Sequence, residues 1–175
     1  MLTEPLPKTL DVRKAAARGV SIQGILKPLD LQRFGELLAS PDGVVEVVLE
    51  FSRDEENRYL VQVAFEADVG VICQRCLEAM PARVAGSNTV AVVWTDEEAR
   101  HLPKHLDPVI SEEACDLWEL VEDELILALP PFSYHSDEDC NTTLAGLSRI
   151  DPVEVVGSDK PNPFDVLAQL KPGKK

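Results

Sequence analysis

Four side chains in this chain offer soft-metal chemistry. Cys73 and Cys76 form a C-x-x-C step in V-I-C-Q-R-C-L, and His135 and Cys140 form an H-x₄-C pair in Y-H-S-D-E-D-C, with 58 residues between the two pairs. Three thiolates and one imidazole are donors that tetrahedral Zn²⁺ favours. A site with all four positions taken by protein is structural, because none is left for a catalytic water. The competing reading is that these are small buried residues, since free cysteine often serves only as packing. A redox role would place the first cysteine at a helix start after a strand in a thioredoxin-like unit. Here the motif follows one extended stretch and precedes another.

Other residues of chemical interest carry less. His101 and His105 have ligand spacing for a helix, but Pro103 between them breaks that register and both read as exposed. Cys115 has no partner at ligand spacing and reads as a buried small residue. Glu122, Asp123 and Glu124 are consecutive, and consecutive helix positions point about 100° apart, so they do not converge on one metal. They read as a solvated helix face. The chain has no nucleophile elbow, phosphate-binding glycine loop or H-E-x-x-H motif, so an enzyme is not supported.

The elements that must position the four ligands follow from periodicity. Asp11 caps a short helix that Gly19 stops, and Val20 to Lys27 alternates as a strand. Leu31, Phe34, Leu37 and Leu38 predict a helix over Asp30 to Ala39. From Val44 the period becomes two, with a polar turn at D-E-E-N, which is a hairpin signal. The β-rich pattern continues to Trp94 and places Cys73 and Cys76 at a strand end. The segment from Thr95 to His105 reads as a loop or a short turn of helix. Asp116 to Leu129 carries an apolar stripe through Leu117, Leu120, Val121, Leu125, Ala128 and Leu129, with Asp116 as cap and Pro130-Pro131 as stop.

From Asn141 to Pro161 the chain turns to Thr, Gly, Ser, Asp and Pro and reads as a mobile linker. Asn162, Pro163 and Asp165 then start a short helix whose stripe is Phe164, Leu167, Ala168 and Leu170, closed by Pro172-Gly173. A helix this short is marginal alone, so Phe164, Leu167 and Leu170 are candidate partner-binding residues. Docking onto the chain's own domain is the equal alternative.

At 175 residues the chain suits one domain, long enough to bury roughly 70% of its unfolded surface. Four cysteines, no signal peptide and no long apolar run point to a soluble protein in a reducing compartment. The net charge of −14 is uneven. Met1 to Arg33 holds six basic and three acidic residues, +3, while Asp96 to Cys140 holds two basic and fourteen acidic, −12. Such a segment repels phosphate and attracts basic proteins. Arg13, Lys14, Arg18 and Arg75 are the candidates for a small RNA-facing patch.

Four stretches together resemble one bacterial family: L-P-K-T-L-D, C-Q-R-C-L-E, L-V-E-D-E-L-I-L-A-L-P with the following H-x₄-C, and N-P-F-D-V-L-A-Q-L-K. The chain is similar to the YceD family of large ribosomal RNA subunit accumulation proteins over nearly its whole length. The resemblance implies a role in synthesis, processing or stability of large-subunit ribosomal RNA during cytoplasmic ribosome assembly. It brings no catalytic residues, and Cys73, Cys76, His135 and Cys140 match its cysteine and histidine positions.

The resulting expectation is an α+β fold: an antiparallel, barrel-like sheet with packed helices over 1–140, a linker over 141–161 and a short helix over 162–175. A structural zinc would pin the sheet to the end of the Asp116 to Leu129 helix. The function expected is that of a non-enzymatic ribosome-assembly factor with no membrane and no small-molecule substrate. Its partner would be a ribosomal precursor particle, met through a basic ribosomal protein or through ribosomal RNA. The alternatives are a metal-dependent RNA-processing enzyme, or an acidic interaction module that holds a basic ribosomal protein without touching RNA.

Overall fold

A computed structural model of the chain describes residues 4–111 and 114–135 together with Cys140 and Phe164. The predicted linker over 141–161, and the predicted helix over 162–175 with Leu167 and Leu170, lie outside the described residues. Phe164 is an exposed turn residue.

The elements are β1 (Thr9–Leu10), α1 (Val12–Arg18), β2 (Ser21–Leu26), α2 (Gln32–Gly35), β3 (Val45–Arg53), β4 (Tyr59–Ile72), β5 (Ala79–Val93), α3 (Asp96–Arg100), β6 (Asp107–Ile110), β7 (Cys115–Asp116) and α4 (Leu117–Ala128). A five-stranded sheet runs in the order β2-β3-β4-β5-β6, and β1 pairs with β7 in a separate two-stranded ribbon. Alternation drives the sheet. On β3 and β4, Val45, Val47, Leu49, Phe51, Val61, Val63, Phe65, Ala67, Val69 and Val71 all point inward and are buried. The helices α1, α2 and α4 cover that face with Val12, Ala15, Ala16, Phe34, Leu117, Leu120, Val121 and Leu125. The opposite face carries Glu46, Glu50, Gln62, Glu66 and Asp68 in the solvent.

The expected α+β class and the hairpin are present, but the sheet is open. Closure would need β2 to reach β6. The outer edge of β2 is instead occupied by the chain start, where Ile25 N–H donates to Glu4 O at 2.9 Å and Leu6 N–H to Ile25 O at 3.0 Å. The sheet is also mixed, because β6 runs parallel to β5. A parallel neighbour needs a crossover, and residues 94–106 with α3 supply it.

Caps explain the helix boundaries. The Asp11 side chain accepts from Lys14 N–H, and Gly19 ends α1 in the left-handed region at φ 60°. Asp116 accepts from the N–H groups of Trp118 and Glu119 at the start of α4. The helix predicted over Asp30 to Ala39 shrinks to a 3₁₀ turn at Pro28–Asp30 followed by α2. Beyond Gly35 the chain is drawn to β4, where Ala39 N–H donates to Gly70 O at 2.8 Å and Ser40 pairs with Gly70. Leu31 and Phe34 are buried as predicted, whereas Leu37 is exposed.

The solvated reading of the acidic run is corrected. Glu122 and Glu124 are buried, at 8% and 9% exposure. The Glu122 carboxylate accepts from Phe34 N–H at 3.1 Å and Arg33 Nε at 3.0 Å, and Glu124 accepts from Asn88 Nδ2 at 3.0 Å. Because α2 has no side-chain cap of its own, Glu122 caps it from α4. Only Asp123 lies outside, paired with Arg33 at 2.7 Å.

Candidate metal centre

The β4–β5 hairpin outruns its neighbours. β3 accompanies β4 only as far as Ala67, and β6 accompanies β5 only over Val90 to Val93, yet β4 and β5 pair out to Ile72 and Ala79. Cys73 and Cys76 sit in the turn at its tip. Cys73 N–H donates to Glu78 O at 2.9 Å and Leu77 N–H to Cys73 O at 2.8 Å, which folds the turn tightly enough to aim both thiols the same way. This geometry requires a left-handed residue, and the chain puts Leu77 there at φ 63°. A leucine in that conformation costs roughly 1 kcal/mol.

The second pair arrives from α4. Pro130 and Pro131 end the helix, and the chain beyond it docks on the tip, where Gln74 N–H donates to Ser133 O at 2.9 Å. This places His135 Nδ1 3.3 Å from Cys76 Sγ, and Cys140 Sγ 3.3 Å from Cys73 Sγ. The ligand atoms of all four residues lie within 4.8 Å of one another. At 3.3 Å the sulfurs are well beyond the disulfide bond length of about 2.05 Å, and all four cysteines of the chain are free thiols.

Burial works against a charged sulfur on Cys73, but backbone donors at Cys76, His135 and Arg75 and the Cys140 thiol outweigh it and bring the group down to about 5. Burial, followed by the neighbouring Cys73 and Cys76 sulfurs, pushes Cys140 up to about 11. Sulfurs this close can all be charged only beside a compensating cation. A metal ion would remove that conflict, and the donor set of three sulfurs and one imidazole nitrogen fits one.

The family model described as "Large ribosomal RNA subunit accumulation protein YceD" matches residues 61–171, a span that includes all four ligands. "Large ribosomal RNA subunit accumulation protein YceD" of Haemophilus influenzae is 34% identical over 169 residues, covering 95% of this chain and 96% of its own. This chain belongs to the YceD family. No solved structure matches it.

In this YceD-family chain the four basic candidates do not gather. Arg13, Lys14 and Arg18 lie on α1, with Arg13 stacked 4.4 Å from the Trp94 ring at the β5 end of the sheet. Lys14 pairs with Asp11 at 2.9 Å. Arg75 is at the hairpin tip, 5.5 Å from the Tyr134 ring. Tyr59 and Ile72 mark the two ends of β4, roughly 40 Å apart at about 3.3 Å per residue, and the two groups stand at these opposite ends. His101 and His105 are exposed and Cys115 is buried, as predicted. Sequence reasoning missed Leu77, Gln74 and Ser133, which shape the tip. A glycine at position 77 would have signalled the turn; a leucine gives no such signal.

Proposed function

We propose that this chain is a non-enzymatic assembly factor that acts in the cytoplasm to sustain accumulation of large-subunit ribosomal RNA, with one structural zinc held by Cys73, Cys76, His135 and Cys140. The role is supported by the name of the Haemophilus influenzae relative, which aligns over 95% of the chain at 34% identity. The convergence of four soft donors within 4.8 Å carries the zinc reading. Tetrahedral zinc with Zn–S of about 2.3 Å and Zn–N of about 2.0 Å has edges of about 3.6–3.8 Å, close to the 3.3 Å contacts and inside the 4.8 Å limit. Four protein ligands leave no position for an activated water, which favours a structural ion over a hydrolytic one. Zinc would supply positive charge that holds the three thiolates together, and so would clip the free end of the hairpin to the chain leaving α4.

The direct partner in this reading is a basic ribosomal protein. Its support is the separation of Arg13, Lys14 and Arg18 from Arg75, so that among the described residues these four candidates form no joined cationic track for phosphate. The net charge of −14 favours basic partners over RNA. No helix among the described residues is long and apolar enough to cross a membrane.

The deciding experiment deletes the gene in its host and measures the ratio of large- to small-subunit ribosomal RNA. A fall that is restored by the wild-type chain, but not by Cys73→Ser/Cys76→Ser, is expected. An unchanged ratio on deletion refutes the role, and full rescue by the double variant refutes the need for the metal clip.

A further inference from the structure

Four large apolar side chains surround the candidate metal centre in the solvent. Ile72 and Leu77 flank the C-x-x-C step, and Phe132 and Tyr134 precede His135; their exposures are 41%, 72%, 68% and 47%. Because the ligand atoms beside them lie within 4.8 Å of one another, the four side chains radiate from one small knot of backbone. Soluble surfaces rarely gather apolar groups this way without a use for them. Leu77 adds a second, independent sign. It occupies a left-handed position that glycine would fill without strain, and it still sends an aliphatic side chain into water. Strain and exposure at one position mark a side chain kept for a contact.

We propose that this hairpin tip is the docking surface for a basic protein that inserts apolar side chains between Leu77 and the Phe132–Tyr134 segment. This rests on the partner reading given above and names the surface that carries it. The composition favours protein over nucleic acid. Aliphatic Ile72 and Leu77 offer no stacking face for a base, whereas aliphatic and aromatic groups beside one arginine, Arg75 over Tyr134, match the centre of a protein interface. Charge complementarity selects the partner's sign. The chain carries a net charge of −14, and Asp137, Glu138 and Asp139 lie in the sequence between the tip residues His135 and Cys140, so a basic rim on the partner meets acidic surroundings.

The test uses the full-length chain, immobilised, and two probes: purified RNA-free proteins of the large ribosomal subunit, and protein-free large-subunit ribosomal RNA. Wild type is expected to retain a basic ribosomal protein, identified by mass spectrometry. Leu77→Gly and Phe132→Ala should each weaken that retention by about tenfold or more. Leu77→Gly relieves the backbone strain, so its melting temperature should hold or rise, which separates lost contact from lost fold. Ile110→Ala, an exposed apolar residue at the far end of the sheet, should bind as wild type. Undiminished retention by both tip variants overturns the proposal. So does retention of the RNA instead of a protein, or of neither probe. If deletion of the gene lowers the ribosomal RNA ratio while the tip variants rescue fully, this surface is wrong and the role stands. If deletion leaves the ratio unchanged, the role fails and the binding measurement still decides the surface.

Discussion

Replacing Glu122 by alanine probes the contact that sets α4 against α2, and α4 delivers the chain to the hairpin tip. The Glu122 carboxylate accepts from Phe34 N–H at 3.1 Å and Arg33 Nε at 3.0 Å. Phe34 is fully buried, so its N–H finds no water once the carboxylate is gone, and an unsatisfied buried donor costs about 1–3 kcal/mol. Arg33 is half-exposed and keeps Asp123 at 2.7 Å, so its share is about 0.5 kcal/mol. Glu122→Ala should therefore lower stability by about 2–3 kcal/mol. Glu122→Gln retains an oxygen for Phe34 N–H and should cost about 1 kcal/mol. Urea unfolding followed by tryptophan fluorescence reads both, with Trp118 on α4 as reporter. A loss below about 0.5 kcal/mol for alanine, or equal losses for alanine and glutamine, would refute the capping role.

Burial, then Asp116 and Glu119, pushes the Cys115 thiol up to about 11 from its ordinary 9.0. A raised value means the fold favours the protonated thiol, so this contribution is whole below pH 9.0 and is lost as pH rises through about 11. The urea midpoint should fall across that window, and less steeply in Cys115→Ala. Gly86 faces the Phe65 ring, and an added Cβ would stand 2.8 Å from it, so Gly86→Ala should destabilise by about 1–2 kcal/mol by urea unfolding. Protein purified without added metal should contain one equivalent of zinc by elemental analysis. The six inward side chains of β4, from Val61 to Val71, supply on the order of 10 kcal/mol of gross burial. Chelation should therefore leave far-UV circular dichroism nearly unchanged while thiol reagents gain access to Cys73, Cys76 and Cys140. Purified protein should leave large-subunit ribosomal RNA precursors uncut, and metal-dependent cleavage lost in Cys76→Ser would overturn the non-enzymatic reading.

Much of this molecule was legible as local pattern. Period-two alternation through Val45 to Phe51 and Val61 to Val71 determined which sheet face is buried, because successive strand side chains point to opposite faces. Asp11, Gly19 and Asp116 determined helix ends through hydrogen bonds made within a few residues. The C-x-x-C step at a strand end and the distant H-x₄-C pair supplied the four soft donors whose ligand atoms the structure brings within 4.8 Å of one another. What local pattern lacked was every decision made between distant segments. The helix expected over Asp30 to Ala39 lost its second half because Gly70, far along the chain, takes hydrogen bonds from Ala39 and pairs with Ser40. Glu122 and Glu124 read as solvated by composition, yet Phe34, Arg33 and Asn88 are the donors that make their burial favourable. Barrel closure failed because residues 4–6 occupy the edge of β2. Arg13 and Arg75 were separated by the length of one hairpin, a distance that exists only once the strands have formed.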